Sequence, residues 1–338
     1  MNNSVRENII SVIVVTYNQE DTIGRAIDSV LCQKCHVSFE IVIGEDCSTD
    51  KTRLVCEEYA SRYPDIIRLM DKAPNKGVVD NYYDCLAACR GKYIADCAGD
   101  DFWVDPLKLE KEYAVLENNP EVTLVHTDWL YYDELTGQTH PPVPSRFTAP
   151  VTDGNMMTEA IVTQTDRPVI HLCTAMYRVE SLLEEYAKTP TLFRNKNYGC
   201  EDLQICFIMA YKGKIAYLPD ITLYYSRGTE SVSSSKDHDK QFLFVKRTTE
   251  LSRCLCIKYN IADPAVKHFF IQKMFALAMH SFRSHNPSLR DEVARLHDEW
   301  NMRQSTKVKA VMAVMSNKAT WNMALSLRNL VVKLKGLK

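Results

Sequence analysis

The stretch IISVIVVTYNQEDTIGRAIDSVLCQKCHVSFEIVIGEDCSTD, from Ile9 to Asp50, decides the fold. It opens on an apolar run, Ile9 to Val15, that reads as a strand. Ile23, Ile27, Val30 and Leu31 then return at helical period and mark one face of a helix, and Phe39 to Ile43 forms a second apolar run. Strand, helix and strand in that order are the βαβ unit of a parallel sheet. Each run also stops in polar residues: the first in Thr16, Tyr17 and Asn18, the second in Glu45, Asp46, Cys47, Ser48, Thr49 and Asp50.

The alternation continues outward from this unit. Ile66 to Met70, Tyr93 to Cys97 and Val122 to His126 are further strand candidates, and Val79, Tyr82, Leu86 and Cys89 mark a helix that Gly91 ends. Asp105 is placed to cap the next helix, Pro106 suits its first turn, Leu109, Tyr113 and Leu116 face inward, and Pro120 lies just past its end. The expected fold is therefore α/β, a doubly wound and mostly parallel sheet. The proline-rich and polar residues between Tyr131 and Pro150 read as a long loop over or beside the site. Beyond them, Ile170 to Tyr177 and Lys214 to Tyr225 read as strands, with a helix from about Glu201 to Tyr211 between them. After the polar stretch SRGTESVSSSKDHDK the chain reads as helices only, which divides it into a sheet domain, 1–235, and a helical C-terminal region, 236–338.

Composition narrows the class. Hydrophobic residues at 46% and charged residues at 25% match an ordinary globular protein and exclude collagen-like, low-complexity and acidic-tail chains. A net charge of -2 points to no polyanionic partner, so no nucleic acid is expected. The twelve cysteines are spread along the chain with no apolar signal segment before them, which favours reduced thiols and a cytoplasmic location. Cys32 and Cys35 have redox or zinc spacing, but no second pair follows at a zinc-like distance, so ordinary thiols are expected there. No apolar run is long enough to span a membrane.

In an open α/β sheet, ligands bind beyond the carboxyl ends of the strands. Here the first, second and fourth strand candidates end in polar or acidic residues, the fourth in Gly99, Asp100 and Asp101. Carboxylates gathered at a phosphate-binding edge repel the ligand unless a divalent cation lies between them, and hard oxygens suit Mn2+ or Mg2+. Such a cation neutralises a diphosphate and stabilises it as a leaving group. A dinucleotide oxidoreductase or a nucleotidyltransferase would carry a glycine-rich turn after the first strand; TYNQEDTIG holds one glycine, which disfavours both.

Together VIVVTYN, EDCSTD, Asn75 and Gly77 in NKG, and CAGDDFWVDPLKLEKE resemble family 2 glycosyltransferases of the GT-A fold, over about residues 8–235. The resemblance implies an inverting transfer of a sugar from a nucleoside diphosphate, UDP foremost, to a hydroxyl of a glycan or lipid-linked saccharide in cell-surface polysaccharide synthesis. It makes 1–235 the nucleotide-sugar-binding catalytic domain, with Thr16, Tyr17, Asn18 and Asp46 on the base and Asp50 holding their loop. Asn75 and Gly77 join the donor side, Asp100 contacts the metal with Asp101 beside it, and Arg227 covers the diphosphate. Asp202 is the expected general base with Glu201 as second choice, Thr174 lines the acceptor side, and Trp103 supports the sugar from below or simply packs the core. One departure stands out: relatives carry Asp or Glu two positions before the metal-contacting Asp, where this chain has Ala98. Asp96 and Asp101 are the nearby substitutes, and loss of turnover in a nucleotide-sugar-binding protein is the alternative reading.

Residues 301–338 contain eight Lys or Arg and no Asp or Glu, interleaved with Trp321, Met323, Leu325, Leu327, Leu330, Val331 and Leu334. This pattern fits a helix lying on the inner face of a membrane, and equally a helix packed on the catalytic domain with a solvated basic face.

Overall fold

The computed structural model of the chain describes residues 7–163, 169–228 and 235–334. Its strands are β1 (Glu7–Thr16), β2 (Phe39–Glu45), β3 (Ile67–Leu69), β4 (Gly91–Asp96), β5 (Phe102–Trp103), β6 (Val122–Asp133), β7 (Thr139–His140), β8 (Val151–Asp153), β9 (Ala175–Arg178) and β10 (Lys214–Arg227). The helices interleaved with them are α1 (Ile23–Leu31), α2 (Thr52–Arg62), α3 (Val78–Ala88), α4 (Lys108–Asn118), α5 (Thr158–Val162), α6 (Val179–Lys188), α7 (Pro190–Phe193) and α8 (Asp202–Lys212). Helices alone follow: α9 (His238–Lys258), α10 (Pro264–Ser284), α11 (Pro287–Glu299), α12 (Thr306–Met315) and α13 (Lys318–Leu334).

One sheet runs β3-β2-β1-β4-β9-β6-β10-β5, with β7 added to β6 and β8 to β10. β1 pairs in parallel with β2 and β4, β2 with β3, and β6 with β10. Ile10, Val12, Ile13 and Val14 of β1 are all buried, as expected of a central strand covered on both faces. Four strands depart from a purely parallel order: the short β5, β7 and β8 pair antiparallel with β10, β6 and β10, and β9 is antiparallel to both its neighbours and separates β4 from β6. Of the expected strand Ile170–Tyr177 only Ala175–Tyr177 is extended, and β9 runs one residue further to Arg178; Leu172–Thr174 is a 3-10 turn, closed by Thr174 N donating to His171 O.

Three boundaries shift for local reasons. β6 continues to Asp133, so the loop expected from Tyr131 starts later; Tyr131 sits opposite Tyr225 in the ladder and the Tyr132 ring stacks diagonally on that of Tyr224, contacts that favour the strand. α4 starts at Lys108 rather than Pro106, because Asp105 Oδ1 accepts from Leu107 N at 2.9 Å and closes a turn before the helix. Gly91 opens β4 instead of ending α3: a Cβ there would lie 2.7 Å from Ser11 N, so only glycine lets the two backbones approach.

The chain forms two compact units, Met1–Thr229 and Glu230–Lys338. Residues 229–234, which adjoin the boundary expected at 235, lie outside the described residues. In the second unit Asp237, Asp263, Asn286 and Ser305 cap α9, α10, α11 and α12 with side-chain oxygens, and Pro264 and Pro287 occupy first turns. Phe242, Met274, Leu277, Leu296 and Trp300 make its main core, while Phe282, Met315 and Trp321 make a second.

Candidate active site

The ends of β1 and β2 are laced together. Asn18 takes a left-handed backbone, φ 52°, which asparagine tolerates better than most residues. Its Oδ1 accepts from Thr49 N at 2.8 Å and its own N–H donates to Ser48 Oγ at 2.9 Å. Asp50 accepts from the Thr52 amide and hydroxyl at 2.9 and 2.6 Å and from Glu20 N at 3.2 Å. Burial works against ionising Asp50, but these hydrogen bonds outweigh it and lower the pKa. Thr16 donates to Gln19 Oε1 at 2.7 Å, and Tyr17 is left exposed.

Asp46, buried directly after β2, faces a third loop. Its two carboxylate oxygens accept from the amides of Lys76 and Gly77 at 2.9 and 2.8 Å, and Asn75 Nδ2 donates to the Asp46 main-chain oxygen at 2.8 Å. Gly77 has φ 84° and ψ 160°, a region essentially closed to residues with a side chain. Asp46, Asn75 and Gly77 thus form one cradle beside the β1 end.

After β4 the chain turns through Ala98 and Gly99 to Asp100 and Asp101. A Cβ on Gly99 would lie 2.4 Å from Gln19 Oε1 and 2.7 Å from Thr16 Oγ1, so glycine lets the acidic loop press on the β1 end. Asp101 is buried, and its Oδ1 accepts from Ser226 N at 3.0 Å, which ties the loop to β10. Burial and then the charge of Asp100 push its pKa well above the ordinary carboxylate value. Asp100 is half-buried; burial raises its pKa as well, with the negative charge of Glu134 adding to the effect. These donors fit a divalent cation: they are hard oxygens, and the cost of ionising them side by side is what a cation removes.

Arg25 is the hub of this edge, and sequence reading missed it. From α1 its guanidinium donates to Glu134 at 2.5 and 3.2 Å, to the Asp100 main-chain oxygen at 3.3 Å and to Ser226 Oγ at 3.2 Å, and it lies 4.1 Å over the Phe102 ring. A polar-face helix arginine carries no local signal; only the fold brings Glu134 to it. Where Ala98 supplies no carboxylate, Glu134 brings one toward Asp100 from just beyond β6.

The start of α8 holds the other acidic pair. Asp202 Oδ1 accepts from Leu203 N at 2.7 Å. Glu201 has a raised pKa, through burial first and the charge of Asp202 second, with Asp96 adding. That coupling puts the α8 start within electrostatic reach of the end of β4. Asp96 itself is buried, raised to about 7 by burial against the Tyr82 hydroxyl and the charge of Lys108.

Three expected residues have plainer settings. Thr174 is fully buried, its hydroxyl donating to His171 O at 2.7 Å, so it supports the β9 approach and is closed to solvent. Trp103 is core: its indole donates to Cys173 O at 3.0 Å, and Lys108 Nζ lies 4.5 Å over the ring. Arg227 is exposed at the end of β10, its guanidinium 3.4 Å over the Tyr131 ring. The segment from Tyr224 to Ser235 is described only in part, since 229–234 lie outside. All twelve cysteines are free thiols; Cys35 sits with His36 and Glu110, where the hydrogen bond between His36 Nδ1 and Glu110 at 2.7 Å is the main contact.

A mostly parallel sheet whose acidic strand ends converge on one edge defines the GT-A class of α/β fold. Two solved structures share it: Staphylococcus aureus TarS 1-349 in complex with UDP-GlcNAc, at 18% identity and TM-score 0.56 over 84% of this chain and 83% of that one, and the mannosyltransferase PcManGT of Pyrobaculum calidifontis in complex with GDP-Man and Mn2+, at 15% identity and TM-score 0.52 over 99% and 92%. The profile of Glycosyl transferase family 2 matches residues 11–185, just over half of the sequence, and the chain belongs to that family. Among curated relatives, an uncharacterized protein of Mycobacterium tuberculosis is 31% identical over 69% of this chain and 62% of its own length. The Escherichia coli UDP-Glc:alpha-D-GlcNAc-diphosphoundecaprenol beta-1,3-glucosyltransferase WfgD is 31% identical over 33% of this chain and 42% of its own. The chain therefore spans less than two thirds of these relatives.

Proposed function

We propose that the chain is an inverting glycosyltransferase that moves a hexosyl or N-acetylhexosaminyl group from a nucleoside diphosphate, UDP foremost, to a hydroxyl of a glycan or lipid-linked saccharide. The observation that carries this is the Asp100–Asp101 pair, pressed on the base-side loop through Gly99 and tied to β10 through Ser226. The UDP-GlcNAc of TarS and the donor and acceptor named for WfgD support a nucleoside-diphosphate sugar donor and a lipid-diphosphate acceptor. The Mn2+ of PcManGT supports a cation at Asp100.

Asp46, with Thr16, Tyr17 and Asn18, holds the base, and Asn75, Gly77 and Asp50 keep that cradle shaped. Asp100, with Asp101 behind it and Arg227 alongside, holds the diphosphate end. When bound, Mn2+ or Mg2+ supplies positive charge against the departing diphosphate. Asp202 takes the acceptor proton as the acceptor oxygen attacks the anomeric carbon from the face opposite the leaving group. Glu201 is the next candidate for that proton, its raised pKa suiting a base near neutral pH.

The test separates binding from chemistry. Asp202→Asn should lower transfer by about 10² to 10⁴ while leaving donor affinity near wild type, whereas Asp100→Ala should weaken metal-dependent donor binding itself. Retained transfer in Asp202→Asn moves the base to Glu201. Ala98 favours a second reading, a binder of nucleotide-sugars without turnover; manganese-dependent donor hydrolysis by the wild type rules it out.

A further inference from the structure

Leu327, Leu330, Val331, Leu334 and Met323 lie on α13 at helical spacings of three and four, which collects them on a stripe about 100° wide. Each is between 47% and 76% exposed. The opposite side of the same helix is anchored. Trp321 is buried and its indole donates to Phe282 O at 2.9 Å, and Ala324 and Leu325 pack on the Phe282–Met315–Trp321 cluster. The helix is thus held in place with an apolar stripe turned outward, and contiguous exposed apolar surface of this kind marks an interaction site.

The charge around the stripe says which kind. Residues 301–338 hold eight basic and no acidic residues, while the 300 residues before them hold 33 basic against 43 acidic. Lys318 and Lys333 are exposed on α13, and Lys307 and Lys309 on α12. No helix among the described residues is long and apolar enough to cross a membrane. An apolar stripe on a helix whose charged residues are all basic, and which is too short and too polar to insert across a bilayer, complements a plane of anionic headgroups over an apolar interior. A protein partner would need matching acidic side chains around an apolar groove; a bilayer presents both everywhere on its surface.

We propose that α13 docks flat on anionic phospholipid, its Met323–Leu334 stripe entering the acyl boundary and Lys333, at the edge of the stripe, meeting the headgroups. This surface belongs to the helical unit alone, so it stands or falls separately from the acceptor assigned above. The experiment is vesicle co-sedimentation of the full chain, using phosphatidylcholine alone and phosphatidylcholine with phosphatidylglycerol, at low and high salt. Binding should need phosphatidylglycerol and weaken with salt. Leu327→Glu with Leu330→Glu should abolish it with little change in melting temperature, since both side chains are more than half exposed. Lys333→Ala should weaken binding about five-fold. The proposal is overturned if the full chain does not bind, if it binds both vesicles equally, or if the double glutamate variant binds as wild type. It is also overturned if light scattering finds a dimer that the same variant dissolves, which would assign the stripe to a second copy of the chain. Donor hydrolysis, followed in parallel, reports on the catalytic reading and is expected to be unaffected by these substitutions in the absence of vesicles.

Discussion

Asp96 ordinarily ionises near 3.8, yet inside the sheet burial raises it to about 7. The fold therefore favours its protonated form, and the stability this contributes is complete below the unfolded pKa and lost as pH climbs through about 7. Asp96→Asn has no charge to acquire. The difference in melting temperature between variant and wild type should therefore grow in the variant's favour from about pH 5 to about pH 8, and a constant difference would contradict the buried carboxyl. Gly77 poses a backbone question instead. No atom lies within 4 Å of where its Cβ would go, so Gly77→Ala meets no clash and its cost is conformational. Urea unfolding should show a loss of about 1–3 kcal/mol. Because the Gly77 amide binds Asp46, isothermal titration should also show weaker binding of UDP.

Among elements, α4 carries the clearest energetic liability. Lys108 and Glu112 are one turn apart, fully buried, and 2.7 Å from each other. Burial raises Glu112 to about 7 even with the ammonium beside it. Removing one partner strands a charge, so Lys108→Met should destabilise the protein by about 3–5 kcal/mol in denaturant unfolding, whereas Lys108→Met with Glu112→Leu should recover most of it. Helical period foretold the inward face of α4 at Leu109, Tyr113 and Leu116, and these are buried. It did not foretell this pair, because charged residues at such spacing usually line a solvated face. For β9 the strand itself was legible within Ile170–Tyr177, but its antiparallel place between β4 and β6 was not, because that is set by partners distant in sequence.

At the scale of the whole molecule, the two units have separate cores, one in the sheet and two clusters among α9–α13. A chain ending at Gly228 should therefore fold and bind UDP within a few-fold of the full chain; loss of binding would make the helical unit part of the donor site. The family, the parallel start of the sheet and the polar strand ends were legible along the chain, because apolar runs, helical period and the points where runs stop are local properties. Tertiary structure alone decided that Asp46 is cradled by Lys76 and Gly77, that Asp96 is buried below the edge, and that Thr174 is closed to solvent. It also decided that Arg25 joins Asp100, Glu134 and Ser226, residues 75, 109 and 201 positions away. Such contacts leave no periodic trace, since a hydrogen bond or a desolvated charge depends on which groups folding brings within a few ångströms.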